Sequence, residues 1–331
     1  MNRRTDRKII LVTRPTRLAE LITRFNTVSQ ARFYVEHQGA DFSDYVREDE
    51  TYHRALDKTQ STLAEIGLVQ VVDRSFLPNF VFGPDDTIVA LGQDGLVANT
   101  LKYLQGQPVI GVNPDPERWD GKLLPFRVSD LSKMILEAVL RKRPMRAVTM
   151  AKAALNNGQT LYGVNDLFIG PKSHISARYL IKSGDTCEQQ SSSGVIVSTG
   201  LGSTGWLKSL LTGAAAISQS ASLTFPFSQN AGAIEQMGDN AGEKPPINVR
   251  TNFPWDANYL FYTVREPFPT NTTQTSLVFG SITPETPLVL ESRMAENGVI
   301  FSDGMEKDFL DFNSGTQALI SIAERKGFLV E

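Results

Sequence analysis

Apolar and polar residues in the first 140 positions follow a repeated strand-then-helix pattern. Lys8–Thr13 is a short, mostly apolar run, and the apolar residues after Arg14-Pro15 recur every three or four positions, which predicts a strand followed by a helix. Further strands are predicted at Leu68–Val72, Thr87–Leu91 and Pro108–Val112, and helices at about 18–25, 29–39, 45–66, 96–104 and 130–141. This alternation favours an open parallel sheet.

From residue 145 the pattern changes to short apolar segments separated by Gly, Asn and Pro, and Asn157-Gly158 is typical of a hairpin turn. The predicted strands are Met145–Leu155, Thr160–Ile169, Ile175–Ile181, Gly194–Thr199, Tyr259–Val264, Ser276–Ile282, Leu288–Arg293, Val299–Ser302 and Ala318–Ile322. Ser218–Val249 is rich in small polar residues and predicts a long surface loop. We therefore expect an α/β domain over residues 1–142 and a β-rich domain over 143–331, with a return of the last residues to the first domain as one alternative.

Composition narrows the functional classes. The 331 residues are enough for about two domains, and a net charge of −3 provides no general attraction for nucleic acids or anionic membranes. A single cysteine, Cys187, excludes an intramolecular disulfide, and the three histidines lie too far apart for a zinc motif, so no metal site is predicted. No apolar run approaches 18 residues, and we expect a soluble, cytosolic protein.

The first candidate site follows the uncharged strand Thr87–Leu91, which delivers Gly92-Gln93-Asp94-Gly95 to the start of a helix. Ligands of parallel sheets bind at the carboxyl ends of the strands, and a helix N-terminus attracts phosphate. The two glycines would allow close approach of the backbone, and Asp94 could accept a proton from an attacking hydroxyl or hold a metal-bound water. The simpler interpretation is an ordinary turn in which Asp94 caps the helix.

A second candidate is the glycine-rich loop Gly200–Gly205, between an apolar strand and a helix from Trp206. It matches the Gly-x-Gly-x-x-Gly pattern of dinucleotide-binding folds, but the first acidic residue after it is Glu235, too late for that fingerprint, which disfavours a hydride-transfer enzyme. The loop could still bind phosphate or a nucleoside. The hydroxyl-bearing residues that could contribute are Ser198, Thr199, Ser203 and Thr204. Trp206 is equally typical of a core aromatic residue.

Asn165-Asp166 is the third candidate, because two small polar residues precede an apolar strand there; by themselves they are also typical of a turn. Together with the other motifs they resemble, in order and spacing, the successive motifs of the NAD kinases. The family pattern is Gly-Gly-Asp-Gly-Thr, a strand ending in Gly-Ile/Val-Asn, then Asn-Glu, then Ser-Thr-Pro-Thr-Gly-Ser-Thr-Ala-Tyr. The corresponding segments here are Gly92–Gly95, Pro108–Asn113, Asn165–Gly170 and Ser198–Trp206.

Several details are closer to the mitochondrial-type branch of that family. These are the segments Asn113–Arg118, Ser192–Gly194 and Arg265–Pro267, together with Trp206 in place of the tyrosine. The resemblance spans about Lys8–Glu331. It implies an NAD kinase-like fold with an α/β domain and a β-rich domain, and NAD bound in the cleft between them.

The resemblance also implies an activity, the Mg²⁺-dependent transfer of the γ-phosphoryl group of ATP to the 2′-hydroxyl of the adenosine ribose of NAD. Asp94 corresponds to the catalytic base. The residues that would bind the nucleotides are Gly92, Gln93, Gly95, Asn113, Asn165, Asp166, Ser198, Thr199, Gly202, Ser203, Thr204 and Trp206. Small-molecule nucleotides are then the expected partners, and the family suggests a homo-oligomer.

Three departures from the family pattern keep alternatives open. Gln93 replaces the second glycine and would be strained at a positive φ, Leu96 replaces a threonine and lacks its hydroxyl, and Asp166 is one methylene shorter than glutamate. One alternative is therefore a weak or inactive relative that binds NAD or another nucleotide as a sensor. Another is a kinase for a lipid or sugar, which the later motifs disfavour. The phosphoryl donor, ATP or polyphosphate, and the preference for NAD or NADH stay open.

Overall fold

The computed structural model describes residues 4–224, 252–305 and 308–331. Its strands are β1 (Lys8–Thr13), β2 (Leu68–Asp73), β3 (Thr87–Leu91), β4 (Pro108–Asn113), β5 (Phe126–Arg127), β6 (Met145–Leu155), β7 (Thr160–Gly163), β8 (Asp166–Pro171), β9 (Ala177–Ser183), β10 (Thr186–Ser192), β11 (Val195–Ser198), β12 (Leu260–Val264), β13 (Phe279–Ile282), β14 (Leu288–Ser292), β15 (Gly298–Ser302), β16 (Phe309–Asp311) and β17 (Gln317–Val330). Its helices are α1 (Arg17–Phe25), α2 (Val28–His37), α3 (Phe42–Ala64), α4 (Asp94–Leu101), α5 (Leu131–Val139) and α6 (Trp206–Thr224). Short 3₁₀ helices cover Arg74–Asn79, Val128–Asp130 and Gly202–Thr204.

The first part of the chain forms a parallel sheet in the order β2-β1-β3-β4. Every residue of β3 and β4 is buried, because helices cover both faces of the sheet and uncharged strands satisfy that environment. The carboxyl ends of β3 and β4 therefore open side by side, and the loops that follow them can meet.

The last strand connects this parallel sheet to the antiparallel strands of the β-rich part. β17 pairs in parallel with β4 through Phe328 and Leu329, and it pairs antiparallel with β6 and β14. One sheet of eleven strands results, with β9 and β10 at its far edge. The last residues of β17 thus lie beside a strand of the first part of the chain.

A second sheet has six antiparallel strands in the order β13-β12-β11-β8-β15-β16. One of its faces packs on the antiparallel strands of the first sheet, with Leu167 and Val197 opposite Tyr179 and Ile320 in one core. The other face carries Phe168 and is partly covered by α6. A mostly parallel α/β part followed by a β-rich part confirms the predicted fold class; the domain boundary after residue 142 stays a prediction.

Some predicted elements differ from the structure. The segment Thr160–Ile169 is two strands, because the chain turns between Gly163 and Asp166. β10 escaped prediction since its buried positions carry polar side chains, and β17 extends far beyond the predicted Ala318–Ile322. The predicted surface loop at Ser218–Val249 is wrong at its start, where α6 continues to Thr224, and the remainder lies outside the described residues. None of the helices in the described ranges is both long and apolar enough to cross a lipid bilayer.

Candidate functional site

A cavity of about 350 Å³ lies where the loops after β3 and β4 meet turns of the six-stranded sheet. We call it the Asp94 cavity. Its lining residues are Asp94, Lys122, Leu123, Asn165, Asp166, Leu201, Gly202, Thr204, Gly205 and Trp255. Binding sites of parallel sheets are expected at this carboxyl edge. Three of the predicted motifs therefore contribute to one concave site, although they are far apart in sequence.

Asp94 is the first residue of α4, and a neighbouring loop holds its carboxylate. Oδ1 accepts a hydrogen bond from the backbone N–H of Leu123 at 2.8 Å, and Oδ2 accepts one from the backbone N–H of Lys122 at 3.2 Å. The N-cap position is occupied by Gln93, so Asp94 is not the capping residue of the simpler interpretation. The carboxylate is instead oriented at the helix N-terminus, where free N–H groups favour negative charge.

The structure around the Gly92–Gly95 loop accommodates two of the departures from the family pattern, Gln93 and Leu96. Gln93 has φ −118° and ψ 166°, an extended conformation open to any residue, so its side chain causes no backbone strain. A Cβ added at Gly92 would lie 2.8 Å from Cδ2 of Leu96, which is buried. Gly92 and Leu96 thus fit each other, and the leucine that replaces threonine belongs to the core under the loop.

Asp303, to which the sequence analysis assigned no role, holds the turn that carries Asn165 and Asp166. Its carboxylate accepts hydrogen bonds from three consecutive backbone N–H groups, those of Val164 at 3.0 Å, Asn165 at 2.6 Å and Asp166 at 3.3 Å. Its own N–H donates to the carbonyl oxygen of Asp166 at 3.1 Å. Successive N–H groups that converge on one anion form a rigid nest. The carboxylate of Asp303, which is not part of the cavity lining, therefore holds the turn in place.

The pKa of the Asp166 carboxyl group is strongly affected by its surroundings. Burial and the nearby charge of Asp303 raise the pKa of Asp166 to about 7. Burial also raises the pKa of Asp303, while the amide hydrogen bonds and the charge of Lys102 oppose that shift. Lys102 is itself buried, donates to Oγ of Ser302 at 2.7 Å and pairs with Asp308. A buried lysine thus supplies counter-charge beside the two acids.

Three of the four hydroxyls predicted to bind a nucleotide donate hydrogen bonds to backbone carbonyl oxygens, two within the glycine-rich segment and one outside it. Oγ1 of Thr199 donates to the carbonyl oxygen of Val164 at 2.6 Å, Oγ of Ser203 to that of Gly200 at 2.7 Å, and Oγ of Ser198 to that of Thr199 at 3.1 Å. Gly202 is required sterically, because an added Cβ would lie 2.0 Å from the carbonyl oxygen of Asn165. The loop and the Asn165–Asp166 turn are therefore mutually fixed.

The structure brings five of the predicted site residues into the cavity wall: Asp94, Asn165, Asp166, Gly202 and Thr204. The predicted residues outside this wall are Gly92, Gln93, Gly95, Asn113, Ser198, Thr199, Ser203 and Trp206. Asn113 uses its amide within its own loop, donating to the carbonyl oxygen of Trp119 at 2.8 Å. The ring of Trp206 stacks on Phe168, with ring centres 5.8 Å apart, on the outer face of the six-stranded sheet.

Sequence analysis missed several cavity residues, above all Lys122 and Trp255. Lys122 lies in the loop after β4, directly after Gly121, which has φ +63°. A glycine in the loop at the carboxyl edge of the sheet was the available signal for a tight turn there. Trp255 stands in a short segment between polar residues, and its position depends on contacts distant in sequence. No local pattern identifies it.

No family model matches the sequence, and no curated protein matches it either. Two solved structures are similar over almost the entire chain. The chain has the fold of the NAD kinases. An NAD kinase from Archaeoglobus fulgidus in complex with ATP is 13% identical, with a TM-score of 0.51 and coverage of 98% of this chain and 93% of that one. Yeast NADH kinase complexed with NADH is 14% identical, with a TM-score of 0.53 and coverage of 98% and 84%. At such identities the likeness shows the fold.

The donor atoms of the Asp94 cavity suit a hard cation that arrives with a phosphate. Asp94, Asp166 and Asn165 provide carboxylate and amide oxygens, which are the ligands that Mg²⁺ prefers. Among the described residues, no group of three or more acidic, histidine or cysteine side chains is arranged to enclose a metal. Mg²⁺ commonly uses one or two carboxylates plus the phosphates of a substrate, and the residues present fit that mode.

Proposed function

We propose that this protein is an NAD kinase, which transfers the γ-phosphoryl group of ATP to the 2′-hydroxyl of the adenosine ribose of NAD. The observation that carries the proposal is that Asp94, fixed by two backbone amides at the N-terminus of α4, faces the same cavity as the Asn165–Asp166 turn. Phosphoryl transfer depends mainly on positioning and electrostatic stabilisation. A fixed carboxylate opposite polar side chains provides such positioning.

Asp94 serves as the general base of the proposed reaction. Its carboxylate accepts the proton of the 2′-hydroxyl while that oxygen forms a bond to the γ-phosphorus, and the bond between the γ-phosphorus and the β,γ-bridging oxygen breaks to release ADP. Because the amides of Lys122 and Leu123 hold both carboxylate oxygens, the side chain needs no reorientation before proton transfer. Base catalysis of this kind contributes about 10²- to 10⁴-fold in rate.

The remaining residues of the cavity hold the two substrates. Lys122 and the N-terminus of α4 bring positive charge beside Asp94 and suit the phosphates of the donor. Asn165 and Asp166 offer hydrogen-bonding groups to the ribose of NAD. The carboxylates of Asp94 and Asp166 would hold Mg²⁺ together with the phosphates of the donor, and the ion would neutralise charge on those phosphates.

The backbone of Gln93 supports an enzyme over a sensor that has lost its activity, since its extended conformation introduces no strain into the loop. Three further features belong to the proposal: a domain boundary after residue 142, assembly into a homo-oligomer, and a cytosolic location. Light scattering on the purified protein tests assembly into a homo-oligomer, and a mass of at least twice 36.5 kDa is the expected result.

The decisive experiment is a coupled assay of NADP formation with the purified full chain. NAD and Mg²⁺ are supplied with ATP in one series and with inorganic polyphosphate in another, and NADP is detected by a dehydrogenase specific for it. We expect NADP with ATP. If calorimetry shows NAD binding but neither donor yields NADP, the result favours a nucleotide sensor. A screen of lipid and sugar acceptors then tests the alternative that the protein is a kinase for a lipid or sugar.

A further inference from the structure

Trp255 is the aromatic residue in the wall of the Asp94 cavity. It is half-buried in the segment before β12 and packs against the core under the parallel sheet. Two apolar residues, Leu123 and Leu201, line the same cavity. The cavity wall therefore combines an indole and aliphatic side chains with charged, amide and hydroxyl groups.

The backbone around Trp255 is fixed by contacts with β6 of the first sheet and with the loop that follows β11 of the second sheet. Its carbonyl oxygen accepts a hydrogen bond from the N–H of Thr149, in β6, at 2.8 Å. A Cβ added at Gly200 would lie 2.0 Å from the carbonyl oxygen of Pro254 and 3.0 Å from Cα of Trp255, so two loop backbones are in close contact there. Trp255 is therefore placed without depending on a bound ligand, and a preformed aromatic wall costs little to order on binding.

Arg146 covers one face of the Trp255 indole, with its guanidinium carbon 4.6 Å from the ring centre. The same guanidinium is held by Glu331, whose Oε1 lies 2.8 Å from Nε. A cation on an aromatic face is attracted by the electrons of the ring and further restrains it. Restraint by Arg146 and a position in the cavity wall are together typical of a stacking surface.

Trp206, the residue expected from sequence to flank a nucleobase, is differently placed. It stacks on Phe168, its face is approached by Arg265 at 5.5 Å, and it is not part of the cavity wall. Of these two tryptophans, the cavity contains Trp255.

We propose that Trp255 stacks on the adenine ring of a nucleotide bound in the Asp94 cavity, and so contributes to the affinity of the site for adenine nucleotides. This inference rests on the proposed function. The aliphatic residues complete the apolar surroundings of the base, while the carboxylates and Lys122 face the ribose and phosphates. Stacking uses the π-face of the base, so a base can be bound on an aromatic side chain with few hydrogen bonds to the base itself.

The first test uses the intrinsic fluorescence of Trp255. The chain has three tryptophans, so the W119F/W206F variant retains only Trp255, and the W119F/W255F variant retains only Trp206 as the matched control. Each is titrated with AMP, NAD, nicotinamide mononucleotide and inorganic tripolyphosphate. We expect AMP and NAD to change the emission of Trp255, and we expect nicotinamide mononucleotide and tripolyphosphate to leave it unchanged. The emission of Trp206 should respond to none of them.

The second test keeps the other tryptophans and measures affinity by calorimetry in W255A and W255F. Loss of one stacked base corresponds to roughly a 5- to 150-fold weaker Kd for NAD in W255A. W255F should retain most of the affinity, because phenylalanine still offers an aromatic face. Tripolyphosphate should bind W255A as it binds the wild-type chain.

The outcomes separate this inference from the proposed function. NADP formation together with unchanged Kd values for NAD and ATP in W255A overturns the role of Trp255 and leaves the kinase proposal standing. A response of Trp255 to nicotinamide mononucleotide but not to AMP overturns the assignment to adenine. If the wild-type chain binds neither NAD nor ATP in calorimetry, both proposals fail. Quenching by AMP in a chain that forms no NADP supports the role of Trp255 alone.

Discussion

The two carboxylates that face the Asp94 cavity are held in opposite ways. Asp94 comes from the parallel sheet, at the start of a helix, and two backbone N–H groups satisfy its oxygens. Asp166 comes from the six-stranded sheet, in a turn organised by a second acid, and burial together with that acid raises its pKa to about 7. The first carboxylate is positioned by hydrogen bonds, whereas the surroundings of the second disfavour its ionised form.

This difference suggests that the two carboxylates have different roles, one in proton transfer and the other in substrate binding. A base that must be ionised and oriented in every catalytic cycle benefits from amide donors and a helix N-terminus. A group that binds a hydroxyl can exchange its protons with solvent near neutral pH without disturbing the base. The parallel part of the fold would then supply reactivity, and the antiparallel part would supply recognition that responds to pH.

Removing the charge of Asp94 gives the largest expected effect. Asp94→Asn should lower the rate of NADP formation by about 10²- to 10⁴-fold, because an amide cannot accept the proton of the hydroxyl. Affinity for NAD, measured by calorimetry, should change much less. Asp41→Asn is the matched control, since Asp41 also accepts a backbone hydrogen bond, at the start of α3, but lies outside the cavity. Full turnover in Asp94→Asn would remove the assigned role.

A smaller effect is expected from separating the two parts of the site sterically. In Gly202→Ala the new methyl group would lie 2.0 Å from the carbonyl oxygen of Asn165, so the Asn165–Asp166 turn must move. Overpacking of this kind costs about 1–3 kcal/mol of unfolding free energy, and affinity for NAD should fall with it. Urea denaturation and calorimetry measure the two effects. Gly213→Ala, in α6 with open space at its Cβ, is the control and should unfold no more easily than wild type; equal behaviour of both variants would contradict the proposed steric coupling.

The next prediction concerns the pH dependence of stability. Because the folded-state pKa of Asp166 lies above its usual value, this residue lowers the free energy of unfolding as pH rises from about 4 to about 7. Asp166→Asn should therefore be more stable than wild type at pH 8, by about 1–2 kcal/mol for a partly exposed group, and the difference should vanish near pH 4. Urea titrations at both pH values provide the measurement. Asp185→Asn, at an exposed turn, should show no such pH-dependent gain. A gain independent of pH would argue against repulsion between Asp166 and Asp303.

The smallest effect is expected at the residue that departs most visibly from the family motif. Gln93→Gly should change the rate of NADP formation by less than about threefold, since Gln93 already has an ordinary extended backbone. Steady-state kinetics with NAD and ATP check this expectation. A large gain in turnover would instead mean that the glutamine side chain obstructs the phosphates.

Sequence patterns were most informative where the environment of a segment is uniform. The bounds of β1, β3 and β6 were predicted as observed, because most of their residues are apolar and most of their positions are buried. β10 was missed because Glu188, Gln190 and Ser192 occupy its buried positions. They are satisfied there by hydrogen bonds, such as that from Nε2 of Gln190 to Oε2 of Glu188 at 2.9 Å. Hydropathy cannot distinguish such a strand from a loop.

The candidate site was predicted where a motif and a local element coincide, as for Asp94 at a strand-to-helix junction. Asp303 and Trp255 escaped prediction for a different reason. Asp303 acts on a turn 137 positions earlier through its hydrogen bond to Asp166, and Trp255 enters the cavity through contacts with β6 and the glycine-rich loop. Such roles arise only from tertiary contacts, and no local periodicity encodes them.

The pairing of β17 with β4 has a consequence for biosynthesis. Phe328 pairs with Pro108 across about 220 positions of the chain. While the ribosome translates the residues between them, β4 therefore lacks β17 as its partner strand on one side. Long-range pairings of this kind slow folding, and an unfinished sheet edge exposes a strand that can recruit another chain. This edge of β4 should therefore stay unpaired until β17 has been synthesised.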